Sequence, residues 1–107
     1  MNKIVKFSVL NLALLYALIG VSSAAQKSPD ITKGKAKSAA CAACHGARGV
    51  STNSLWPHLA GQNKDYLVKQ LHDFKTGKRS DPVMSGMAKP LSNEDINNLA
   101  AYFSSLN

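Results

Sequence analysis

The chain is poor in cysteine. Of its 107 residues only Cys41 and Cys44 are of that type. A bridge between them would close a loop of about four residues, which recovers little loop-closure entropy. It is also poor in negative charge, with 6 acidic residues against 13 Lys and Arg, a formal charge of +7. It has no long hydrophobic run: the uncharged stretch Phe7–Val21 is about 15 residues, short of the roughly 20 that span a bilayer as a helix. No internal repeat, low-complexity tract or convincing strand pattern is present. These absences exclude a disulfide-stapled scaffold and a multidomain chain. Nothing interleaves aromatic with basic residues as a nucleic-acid surface would, so no nucleic-acid partner is expected.

What is there begins with a three-part leader. Lys3 and Lys6 precede the apolar run, and Ser22, Ser23, Ala24 and Ala25 close it. This is the pattern of a secretory signal, expected over residues 1–25 and cut after Ala24 or Ala25. The domain then spans residues 26–107, about 80 residues, a size at which a core alone is marginal and a staple is usual. Without Lys3 and Lys6, 11 of the 13 basic residues remain against 6 acidic ones, about +5. They cluster at Lys27, Lys33, Lys35 and Lys37 and again at Lys75, Lys78 and Arg79. Besides solvating the surface, such clusters steer encounters with acidic partners.

Three helical segments are predicted. The first covers Asp30–Cys44, capped by Asp30 or Ser28, with Pro29 at its entry and Gly34 placed for a close helix crossing. The second starts at Asn63, carries Asp65 in its first turn, buries Tyr66, Leu67, Gln70, Leu71 and Phe74 on one face, and stops at Gly77. The third opens on a capping box, Ser92 with Asp95, and buries Ile96, Leu99, Ala100, Phe103 and Leu106, with Tyr102 alongside. Two long loops join them, "HGARGVSTNSLWPHLAGQ" and "RSDPVMSGMAKPL". In so small a domain, loops of that length are functional or packed on something.

The chemistry concentrates in "CAACH", residues 41–45. Cys-x-x-Cys-His is the c-type haem attachment signature. Two thiols on one helical face can each add to one vinyl group, and the adjacent imidazole then reaches the iron. A thioredoxin-like dithiol would stand at the start of a helix after a strand, and no βαβ pattern surrounds this one. Zinc would need four ligands; adding His58 and His72 leaves a gap between the histidines far wider than a finger uses, so no zinc is expected. A plain thiol pair is the remaining alternative. A large apolar cofactor would also supply the missing staple. A second axial ligand has to come from far along the chain. Met84 and Met87, the two methionines beyond residue 26, both lie in "PVMSGMAKP". The spacing does not choose between them, and His58 or His72 is the alternative.

With "CAACHG", "LWPHLAGQNKDYLVKQLHDFKTGKRSD" and "MSGMAKPLSNEDINNLAAYFSSL" on the page, the chain resembles the class I c-type cytochromes. Specifically, it is similar to small bacterial monohaem members and to one domain of the dihaem c-four type. The likeness runs over nearly all of residues 26–107. It implies an all-α cytochrome c fold, three main helices and long loops wrapped around one covalent haem c. By the same resemblance, Cys41 and Cys44 hold the vinyl groups, His45 is the proximal iron ligand and Met84 the distal one. Pro57 then offers its carbonyl to the axial histidine, and Trp56, Leu59, Tyr66, Leu67 and Leu71 line the haem pocket. Gly34 is implied as the crossing point of first and last helices, against Leu99 and Tyr102. His58 falls where such sequences vary and reads as surface or pocket rim. The dihaem relatives carry two attachment motifs and this chain one, so its exchange partner is another molecule.

The resulting expectation is periplasmic electron transfer with His/Met ligation and no acid–base catalyst, hence no enzyme. Redox proteins with acidic docking surfaces are the expected partners, a membrane-peripheral oxidase or dehydrogenase among them. The main alternative is the haem subunit of a larger periplasmic oxidoreductase, such as a flavocytochrome sulfide dehydrogenase. A peroxide- or ligand-binding haem protein and a non-haem thiol protein stand further off.

Overall fold

The structure, a computed structural model, describes residue 20 and residues 27–107. The leader expectation, Lys3 through Ala25 with its cut site, lies outside the described residues. Within them the chain is helical and without strands: α1 (Ile31–Lys37), a 3-10 turn (Ser38–Ala40), α2 (Ala42–His45), α3 (Lys64–Thr76), α4 (Met84–Ala88) and α5 (Asn93–Ser104).

Local chemistry explains most of these limits. The Asp30 carboxylate accepts from the Lys33 N–H at 3.0 Å and starts α1. Asn63 does the same for α3 through the Tyr66 N–H, and Gly77, with φ 82°, ends it in the left-handed region. Ser92 and Asp95 form the expected capping box at the start of α5.

The predicted continuous first helix is corrected. It breaks at Ser38, whose hydroxyl donates to the Lys35 carbonyl at 2.6 Å, while the Cys41 N–H bonds back to the Ser38 carbonyl at 2.8 Å. Such back-bonding competes with the helical ladder and tightens the turn. "CAACH" is thereby a separate turn, not the tail of one long helix. The second long loop is corrected as well, because it contains α4. Asp81 followed by Pro82 is a helix-start signal that was available in the sequence.

The core forms where α5 meets α1 on one side and α3 on the other. Ile96, Leu99, Ala100, Tyr102 and Phe103 of α5 are buried, with Leu67 and Phe74 of α3. A Cβ built on Gly34 would lie 2.0 Å from the Asn98 carbonyl oxygen and 2.8 Å from the Tyr102 Cβ. The crossing is therefore real, and its nearest neighbours are Asn98 and Tyr102, not Leu99. Asn98, only 4% exposed, receives the Asp30 N–H on its Oδ1 at 2.7 Å, which fixes the start of α1 on α5. Lys33 and Lys37 reach Glu94 and Asp95 across the same seam at 3.2 and 3.4 Å. Tyr66, expected on the buried face of α3, is 48% exposed.

Candidate functional site

The Cys41 carbonyl accepts from both the Cys44 N–H at 3.3 Å and the His45 N–H at 2.9 Å, closing one helical turn. That turn puts residues 41 and 44 on one face and His45 at its end. Gly46 follows at φ 89°, where a Cβ would lie 2.0 Å from the Val50 carbonyl oxygen. Only glycine lets the chain turn away here, carrying the first loop back over His45.

His45 is buried, and its Nδ1 lies 2.8 Å from the Pro57 carbonyl oxygen. A carbonyl oxygen only accepts, so Nδ1 carries the proton and Nε2 keeps its lone pair. The loop that presents Pro57 is closed on itself. The Gly49 carbonyl accepts from Leu59 and Ala60, and the Ser51 N–H donates to the His58 Nδ1 at 2.8 Å. His58 is therefore more than rim: it ties the loop together beside Pro57. Sequence reading missed this, because the partner is the backbone of a residue seven positions away.

Cys41 and Cys44 are free and half-buried. Cys41 packs with Leu59, Val68, Leu71 and Leu91 against the core around Leu67 and Leu99. Burial pushes the Cys41 thiol up from its ordinary value. A redox dithiol needs the opposite shift, toward thiolate, so the site is poorly suited to that chemistry. Among the described residues, no group of three or more His, Cys, Asp or Glu side chains gathers in a way that could hold a metal ion.

The remaining predicted pocket residues divide in two. Leu67 is in the core and Leu59 and Leu71 pack on it. Trp56 is 41% exposed, and Val50, Leu55 and Tyr66 are exposed too. On the second loop Met84 is half-buried at the start of α4, whereas Met87 is 39% exposed. Two shallow surface grooves lie beside α5, one against α1 and one against residues 27–29 and Lys64, and neither includes Cys41, Cys44 or His45.

The lysine clusters need revision. Lys27, Lys33 and Lys37 face Glu94 and Asp95, and Lys69 faces Asp73. The Glu94 carboxylate pushes the Lys33 ammonium up, and Lys69 holds the Asp73 carboxyl below the usual range. These exposed pairs contribute little to stability. They do neutralise much of the early cluster, so among the described residues the basic groups without a carboxylate partner are Lys35, Arg48, Lys64, Lys75, Lys78, Arg79 and Lys89.

The residues present fit a large apolar group held at iron and at two sulfurs. The histidine offers a fixed lone pair, the thiols are unpaired, Cys41 packs with Leu59 and Leu71 on the core, and Val50, Leu55 and Trp56 of the following loop stay exposed. A helical domain built on such a turn defines the class of c-type haem proteins. The family model described as Cytochrome c matches residues 31–107, and the chain belongs to that family. Membership brings a covalent haem c with its iron. Among curated relatives, cytochrome c4 of Pseudomonas aeruginosa is 45% identical over 94 residues, covering 88% of this chain and 47% of that one. A thiosulfate dehydrogenase electron acceptor of Thiomonas intermedia is 48% identical over 71 residues, 65% of this chain and 33% of that one. Reduced recombinant cytochrome c4 of Pseudomonas stutzeri superposes with a TM-score of 0.71 at 43% identity, covering 75% of this chain and 47% of that one. The chain thus spans about half the length, or less, of these relatives.

Proposed function

We propose that this domain is a one-electron carrier of the periplasm. Residues 1–25 direct export, and residues 26–107 hold a single haem c. The observation that carries this reading is the His45 imidazole: buried, with Nδ1 donating to the Pro57 carbonyl and Nε2 left to bind a metal. Haem c supplies one-electron exchange between ferric and ferrous iron. Cys41 and Cys44 would hold it through thioethers, His45 and Met84 would ligate the iron, and Met84 is preferred to Met87 because it is the less exposed of the two. Pro57 fixes the imidazole plane and keeps the proton on Nδ1, so Nε2 is the nitrogen left to the metal. Trp56 and Tyr66, exposed in the polypeptide, would cover the apolar faces, with Leu59, Leu67 and Leu71 forming the floor. With His45 and Met84 both ligating, the iron would have no open position for a substrate, which favours a carrier over an enzyme.

The partner is a redox protein with an acidic docking surface, met by Lys35, Arg48, Lys64, Lys78 and Lys89. The Thiomonas relative's name supports a second reading, in which this domain accepts electrons as part of a dehydrogenase assembly. The test is an absorption spectrum of the exported protein, oxidised and reduced, repeated after denaturation and extraction. Haem that stays with the chain, and a methionine-to-iron charge-transfer band lost in Met84→Ala but kept in Met87→Ala, are the expected results. Haem that extracts freely would overturn the reading. Co-purification with a dehydrogenase subunit would select the second form of it.

A further inference from the structure

The Met84 segment should not hold its own shape. α4 is five residues long and has Gly86 at its centre, with nothing within 4 Å of where a Cβ would stand. Isolated helices that short do not persist in water, and glycine weakens them further. Something outside α4 therefore sets its position.

We propose that Asp81 and Lys75 are positioning residues for Met84, one at each end of α4; the inference rests on Met84 being the iron's methionine ligand. At the first end, Asp81 Oδ1 accepts from the Met84 N–H at 2.8 Å and from the Val83 N–H at 2.9 Å. The Asp81 N–H donates to the Ser85 hydroxyl at 3.0 Å, and its carbonyl accepts from the Ser85 N–H at 3.1 Å. The Met84 N–H first, and then the Val83 N–H, hold the Asp81 carboxyl below the usual carboxylate range. At the other end, the Lys75 ammonium of α3 donates to the Lys89 carbonyl at 3.0 Å and to the Leu91 carbonyl. Ala88, fully buried, is the one apolar anchor between the two clamps. The Asp81 bonds close the first turn of α4, the Lys75 ammonium ties its far end to α3, and Met84 inherits that rigidity.

The consequence is measurable as ligand exchange. When Met84 leaves the iron, an external base takes its place, and a loosened α4 favours that state. The experiment titrates the ferric holoprotein with imidazole. Asp81→Ala is expected to bind imidazole at least tenfold more tightly than the unaltered protein. Asp81→Asn, which keeps an oxygen acceptor, is expected to stay within threefold. Lys75→Met, which keeps the stem and removes the donor, reads the same quantity from the other end, so the test does not hang on one variant. Lys33→Met removes an exposed contact on the α1–α5 seam and should leave imidazole affinity unchanged. The proposal is overturned if Asp81→Ala and Lys75→Met both match the unaltered protein, or if Lys33→Met tightens imidazole binding as much as they do. Met84→Ala separates the two levels: a methionine-to-iron band that survives this change removes the Met84 assignment itself, and the positioning proposal with it.

Discussion

Replacing Gly34 tests the packing that holds the whole domain together. An alanine Cβ there would stand 2.0 Å from the Asn98 carbonyl oxygen, 2.6 Å from its carbon and 2.8 Å from the Tyr102 Cβ. Two of the three are backbone atoms of α5, which has no rotamer to escape into. Ordinary contact needs more than about 3.4 Å, so α1 has to back away by over an ångström. Alanine's helix propensity returns about 1 kcal/mol. Against that stand overpacking of about 1–3 kcal/mol or more and the Asp30–Asn98 bond, whose loss strands a buried amide at about 1–3 kcal/mol. The net expectation is a loss of about 1–5 kcal/mol. For a domain of this size each kcal/mol lowers Tm by roughly 4–8 °C, so the fall is at least about 4 °C. The assay is thermal unfolding of the holoprotein followed by far-UV circular dichroism. Gly86→Ala is the internal control: its Cβ meets nothing within 4 Å, so it should be neutral or mildly stabilising. A Gly34→Ala protein that melts within 2 °C of the unaltered one would refute the close-crossing argument.

Two further outcomes follow from the caps of α5. Ser92→Ala removes the acceptor for the Asp95 N–H and should cost about 1 kcal/mol in urea unfolding, whereas Ser104→Ala, at the far end of the same helix, should cost less. Asp95 is held below its usual range, first by the Ser92 N–H; a depressed carboxyl stabilises above its unfolded value and loses that contribution as pH falls through its folded value. Asp73 and Asp81 are shifted the same way, so stability should be flat toward neutral pH and fall on acidification below the ordinary carboxylate range. An acid titration with a maximum below pH 4 would contradict that sign.

The sequence by itself determined what is local. Asp30, Asn63 and the Ser92–Asp95 pair cap helices because each side chain bonds a backbone N–H about three residues on, and Gly77 stops α3 because it tolerates positive φ. The "CAACH" spacing puts two sulfurs and an imidazole on one turn for the same reason: helical geometry acts over four residues. Even the missed features with short reach, Ser38 breaking the first helix and Asp81 opening α4, had signals within four positions. What joins residues far apart in the chain only the tertiary structure decided. Asp30 and Asn98 are 68 positions apart, and nothing in either neighbourhood announces the bond between them. The early lysines looked free for a partner until the fold set α5's Glu94 and Asp95 beside them. Lys75 looked like one more surface charge until α3 packed against α4 and turned it onto the carbonyls of Lys89 and Leu91. Hydrogen bonds and ion pairs act over a few ångströms, so their partners are known only once packing has chosen which distant segments touch.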